Sequence, residues 1–167
     1  MPFDYYYRLS RRQQQIYWAS DRIQTISVPG PEELRTTSRM IAESLAAADR
    51  PLIQALCDKL VNNLGTQLSA PQVHVSVRAT RPSRSWGELH GLCETAEDSR
   101  PAHIVVWMRT AKRRQVVACK TFLRTLVHEV CHHLDYTYLK LPDSYPTEGF
   151  YKRESSLYIA LTDGPNS

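Results

Sequence analysis

"RTLVHEVCHHLDY", residues 124–136, holds three of the chain's six histidines. His128, Glu129, His132, His133 and Asp135 crowd into about two helical turns. Leu123, Leu126, Val127, Val130 and Leu134 recur at i, i+3, i+4, i+7 and i+11, which predicts an amphipathic helix. At ~100° of rotation per residue, this apolar stripe lies almost opposite the edge shared by His128 and His132. The helix is expected to bury one face and aim the two imidazoles off the other. His133 points away from the pair and reads as a surface or outer-sphere histidine. Asp135 returns to the His128 edge. There it is a candidate ligand, an orienting partner for a ligand's outer ring nitrogen, or an exposed carboxylate. Cys131 lies between the two faces and reads as a small buried residue.

Residues 128–132 match H-E-x-x-H. Residues four apart stack one turn above each other, so His128 and His132 can pinch one ion between neutral ring nitrogens. Glu129 is their neighbour around the helix, placed to act as base toward a water activated by that ion. The site residues read from the chain are therefore His128 and His132 as metal ligands and Glu129 as the catalytic carboxylate, with Zn2+ as the expected cofactor.

Around this helix the chain divides in two. Residues 7–23 read as a first helix. "VPGP" at 28–31 breaks it, and a second helix starts at Pro31, with Glu32 and Glu33 in its first turn, and runs to about Ala48. Asp49 is placed to cap a third helix. Leu52, Ile53, Leu56, Leu60, Val61 and Leu64 form its stripe, and Gly65 is expected to end it. Three strands follow: 72–78, 87–94 and 102–108, the last two joined as a hairpin through 95–101. The motif helix starts near 117. "KLPDSYPTEG" (140–149) is a loop, 150–161 a last helix, and 162–167 a tail. Helices, a small mostly antiparallel sheet, then two helices make an α+β fold in one domain.

Composition fits that class: 167 residues, 42% hydrophobic and 23% charged. No apolar run approaches ~18 residues, which argues against a membrane span. The start "MPFDYYYRLSRRQQQ" lacks a signal-peptide core, and a cytoplasmic protein is expected. The four cysteines, Cys57, Cys93, Cys119 and Cys131, form no CxxC pair and read as reduced thiols. The net charge of +4 is concentrated at 8–12, 78–84 and 109–114. A solvated basic surface is the simpler explanation than a nucleic-acid footprint. Trp18, Trp86 and Trp107 read as core or rim packing.

Residues 72–161 resemble the zincin metallopeptidases, in particular the small SprT-like and WLM-type proteins. The resemblance rests on "HEVCHHLDY", on "GELHGLCE" paired with "AHIVVWMRT", and on "SYPTEGFYKRE". It implies a zincin-like fold of residues 72–161 behind a helical amino-terminal region, residues 1–65, and zinc-dependent hydrolysis of peptide or protein substrates. It also implies a third ligand four residues before an aromatic. Phe150 matches the aromatic, but Pro146 stands at the ligand position and has no donor side chain. Glu148, Glu154, Tyr145 and Asp135 are the substitutes considered. Glu154 lies 22 residues after His132, a spacing similar to that of zincins with a glutamate ligand; its other reading is a surface partner of Lys152, Arg153 or Arg124. Tyr145, Tyr151, His90 and Arg153 are candidates to stabilise an oxyanion. The strands at 87–94 and 102–108 could offer an edge to a peptide. The alternative is a degenerate zincin, a pseudoprotease serving as a protein- or nucleic-acid-binding module. A purely structural metal joining the last two helices is a third reading.

Overall fold

The computed structural model describes residues 1–84, 87–97 and 101–162. Trp86 and the tail beyond Thr162 lie outside these residues.

The amino-terminal helix is shorter than the apolar pattern predicts. A 3-10 turn, Asp4–Arg8, comes first, and Ser10 then opens helix α1, Arg11–Asp21. Ser10 Oγ accepts from Gln13 N while the Gln13 side chain accepts from Ser10 N, a reciprocal cap that fixes the start. Helix α2 (Pro31–Ala46) begins at its proline, as expected. Helix α3 (Arg50–Gln67) is capped by Asp49, which accepts from Leu52 N at 3.2 Å. It passes through Gly65 rather than ending there. Ser69 takes the left-handed turn instead, and Ala70 N closes back on Gly65 O. Leu52 falls outside the buried stripe and is exposed.

Among the described residues, five strands follow: β1 (His74–Thr80), β2 (Ser83–Arg84), β3 (Gly87–Glu88), β4 (Gly91–Glu94) and β5 (His103–Arg109). The expected strand 87–94 is thus split in two. β2 and β3 pair as a small hairpin of their own. The main sheet has the order β1-β5-β4. β4 and β5 form the expected antiparallel pair, with Leu92 opposite Val105. β1 and β5 are parallel, with Val75 opposite Ile104 and Val77 opposite Val106. The sheet is therefore mixed, not mostly antiparallel. The reason is topological: the chain leaves β1 through β2–β4 and re-enters β5 in β1's own direction, a route that local patterning does not encode.

Helix α4 (Cys119–Thr137) carries the motif, and helix α5 (Glu148–Thr162) packs against it. α3 lies on β1, while α4 lies on β4 and β5. Val75, Val77, Ile104, Val106, Leu123, Leu126, Val130, Leu60 and Leu157 belong to one apolar core. α4 is covered on more sides than the stripe implies, because Glu129, His133 and Asp135 are buried too. At the start of α5, a side chain at Gly149 would place its Cβ 2.2 Å from the Asp21 carbonyl oxygen. Only glycine admits that approach of α1 to α5. Among the described residues no helix is long and apolar enough to cross a membrane.

Candidate metal centre

The two motif histidines face each other. His128 Nε2 and His132 Nε2 lie 3.2 Å apart. Two nitrogens at ~2.0–2.1 Å from one tetrahedral ion would sit about 3.3 Å apart. Each ring is held from behind through Nδ1. His128 Nδ1 contacts Glu154 Oε1 at 2.8 Å, and His132 Nδ1 contacts Ser144 Oγ at 2.7 Å. A carboxylate only accepts, so His128 carries its proton on Nδ1. Ser144 gives its hydroxyl proton to Asp135 Oδ2 at 2.7 Å, so toward His132 it acts as acceptor. Both Nδ1 atoms are therefore donors, and neutral rings would point two bare lone pairs at one another. Such a pair calls for a cation between them, whether a proton or a metal ion. This donor type and spacing fit zinc.

Charge and burial tune the pair unequally. Burial and the neighbouring His128 charge lower His132 to about 4, so it is neutral near pH 7. Burial also works against a charged His128, but the bond to Glu154 and the charges of Glu154 and Glu129 outweigh it and raise its pKa. Burial raises Glu129, only partly offset by His128. A carboxylate shifted upward is a better base at neutral pH. The Phe150 ring packs against both imidazoles, with its centroid 4.7 Å from His132 and 5.3 Å from His128.

Two adjacent cavities open beside the histidine pair. One, of about 460 Å³, is lined by His90, Gly91, Arg124, Thr125, His128, Glu129 and Glu154. The other, of about 250 Å³, is lined by Gly91, Cys93, Glu129, His132, Tyr136 and Ser144, among others. Gly91 and Glu129 belong to both. At Gly91 the strand β4 presses onto α4, where a Cβ would sit 2.8 Å from Thr125 Cγ2 and 3.0 Å from Glu129 Cγ. β4 is also an edge of the sheet.

The remaining candidate side chains stand apart from the ion position or are engaged elsewhere. Glu154 is neither a facing ligand nor a surface partner, because it binds His128's outer nitrogen. Asp135 is buried and serves Ser144 and Arg153, which rules it out as an exposed carboxylate. Arg153 cannot reach an oxyanion: it is fully buried and its guanidinium is committed to Asp135, Ser20 and Ile23. Glu148 is exposed and pairs with Lys152 at 3.3 Å. Tyr145 lines neither cavity. Tyr151 flanks His128, with the ring centroids 6.4 Å apart. His90 is exposed at the larger cavity. Pro146 has a structural job, since its carbonyl accepts from Tyr5 Oη at 3.1 Å. His133 is not a surface residue: it is buried, with Nε2 3.3 Å from the Pro71 carbonyl. Cys131 is buried as expected, and burial holds its thiol well above the ordinary range.

Ser144 and Gly91 are the site residues that sequence reasoning missed. Ser144 sits in a loop 12 residues from His132. Asp143 Oδ1 fixes that loop by accepting from Ser144 N and Tyr136 Oη. No spacing rule marks such a partner. Among the described residues no group of three or more His, Cys, Asp or Glu side chains is arranged to hold one ion. No family model matches the chain, and neither does any curated protein or solved structure.

Proposed function

We propose that this chain is a zinc-dependent peptidase of zincin-like architecture, related in plan to the SprT-like and WLM-type proteins. The observation that carries the proposal is the pair of Nε2 atoms 3.2 Å apart with both outer nitrogens anchored. His128 and His132 would hold the ion. Zinc, when bound, supplies Lewis-acid polarisation of a carbonyl and makes a water more acidic, toward a pKa of ~7. Glu129, raised by burial and lining both cavities, would take the proton from the attacking water and pass it to the leaving amine as the peptide C–N bond breaks. A peptide adds along the edge of β4 and lies over Glu129, reading backbone groups rather than side chains. His90, which lines the larger cavity, is the candidate to assist at the carbonyl oxygen. Four free cysteines suit a reducing compartment, the cytoplasm.

The test is cleavage of a broad peptide library by the full chain with added zinc. Glu129→Gln is expected to abolish cleavage and keep the metal. Equal cleavage by Glu129→Gln overturns the assignment of the base.

A second reading, a zincin-like module that binds protein or nucleic acid without catalysis, draws on the lack of a third side-chain donor among the described residues. Salt-sensitive DNA binding together with zinc-independent inertness toward every peptide would favour it.

A further inference from the structure

A continuous line of polar contacts, buried from Ser20 to Asp135 and part-buried beyond, joins α1 to the candidate metal centre. Arg153 is its middle. Nη1 donates to the carbonyl oxygens of Ser20 and Ile23. Nη2 donates to Ser20 Oγ at 2.9 Å and to Asp135 Oδ1 at 3.1 Å. Asp135 Oδ2 accepts from Ser144 Oγ at 2.7 Å, and Ser144 Oγ accepts the Nδ1 proton of His132 at 2.7 Å. Ser20, Arg153 and Asp135 are each no more than 1% exposed.

Burying a guanidinium and a carboxylate is costly, and apolar side chains of like volume would hold the helices together as well. What this pair does that an apolar pair cannot is commit a hydroxyl. Asp135 accepts the Ser144 hydroxyl hydrogen bond, which leaves that oxygen only a lone pair for His132. The His132 ring is thereby locked with its proton outward and its Nε2 lone pair toward His128. Arg153 in turn keeps Asp135 in place, and two acceptors on Ser20 near the end of α1, with the Ile23 carbonyl just beyond it, keep Arg153 in place. The helical amino-terminal region, which the sequence leaves without a role, thus reaches into the metal centre.

Resting on the zinc-binding reading above, we infer that Ser20, Arg153, Asp135 and Ser144 are positioning residues for His132, so that the carboxy-terminal end of α1 sets how tightly the centre holds its metal. The experiment measures zinc affinity of the full chain by competition with a chromophoric chelator, and the visible absorption of the Co2+ form. Ser144→Ala is expected to weaken zinc binding by roughly 10- to 100-fold. Ser20→Ala touches neither histidine, yet is expected to weaken it by roughly fivefold. Arg153→Lys breaks the same line independently and moves affinity in the same direction. The double variant Ser20→Ala/Ser144→Ala should be no weaker than Ser144→Ala alone, because the line is already cut. The cobalt bands shift in each variant while the far-UV spectrum stays native. Wild-type affinity and an unchanged cobalt spectrum in Ser20→Ala and Arg153→Lys overturn the inference, as does strict additivity of the two serine variants. A wild-type chain that takes up neither zinc nor cobalt overturns the zinc reading itself, and this relay with it.

Discussion

At the scale of single residues, the centre is decided by which nitrogen of each ring is engaged. Glu154 shows the point. Its spacing from His132 is legible in the sequence, and it suits a third ligand. Its carboxylate instead sits on the outer Nδ1 of His128, a distinction of a few ångströms that spacing does not encode. The position of Glu129 beside His128 was legible, since it follows from helix geometry, whereas its burial was not. Replacing it with glutamine should lower peptide hydrolysis by at least ~100-fold and leave zinc stoichiometry unchanged, read by a cleavage assay beside elemental analysis. Gly91 makes a second, independent prediction. A Cβ there would meet Thr125 Cγ2 at 2.8 Å and Glu129 Oε1 at 3.1 Å. Gly91→Val should cost ~1–3 kcal/mol by overpacking and displace the base, so that cleavage falls further than zinc affinity does. Denaturant melts and chelator competition on the same preparation separate the two effects.

At the scale of elements, the helices were more legible than the sheet. Pro31 and Asp49 mark helix starts because their effect is local, within one turn. The stripe of α4 likewise reads directly. What did not read was the parallel pairing of β1 with β5, since register between strands 29 residues apart depends on the route taken between them. The split of 87–94 was also hidden. Glu88, the last residue of β3, turns its carboxylate to the backbone N–H of Ala111 and to Arg81 Nη1, the latter at 3.2 Å. The Ala111 bond is the chief reason that the Glu88 pKa is lowered, with Arg81 adding to it. A folded pKa below the unfolded value means that the carboxylate stabilises the fold above the ordinary glutamate range, and that this stabilisation is lost as pH falls through the depressed value. Glu88→Gln should therefore melt lower than the parent at pH 7. The gap should close as the pH drops below the ordinary glutamate value of 4.5. Thermal melts of the two proteins between neutral and acid pH check it.

At the scale of the whole molecule, three helices distant in sequence meet at Arg153. Its contacts to Ser20 span 133 residues, and its contact to Asp135 spans 18. No local pattern could announce them, which is why Arg153 looked available for catalysis and Asp135 could be read as a ligand, an orienting partner or an exposed carboxylate. Asp135→Ala leaves the guanidinium buried without its partner, which costs ~3–5 kcal/mol, or roughly 10 °C in melting temperature for a chain of this size. A paired apolar replacement, Asp135→Leu with Arg153→Met, should recover much of that loss and still bind zinc poorly. Calorimetry and chelator competition on these variants would separate what holds the fold from what tunes the metal.

The most direct measurement is zinc uptake by the purified full chain, by equilibrium dialysis with His128→Ala and His132→Ala alongside. The account predicts one zinc per chain in the parent and loss of that zinc in either variant. A parent that binds none, or variants that keep their zinc, would contradict it.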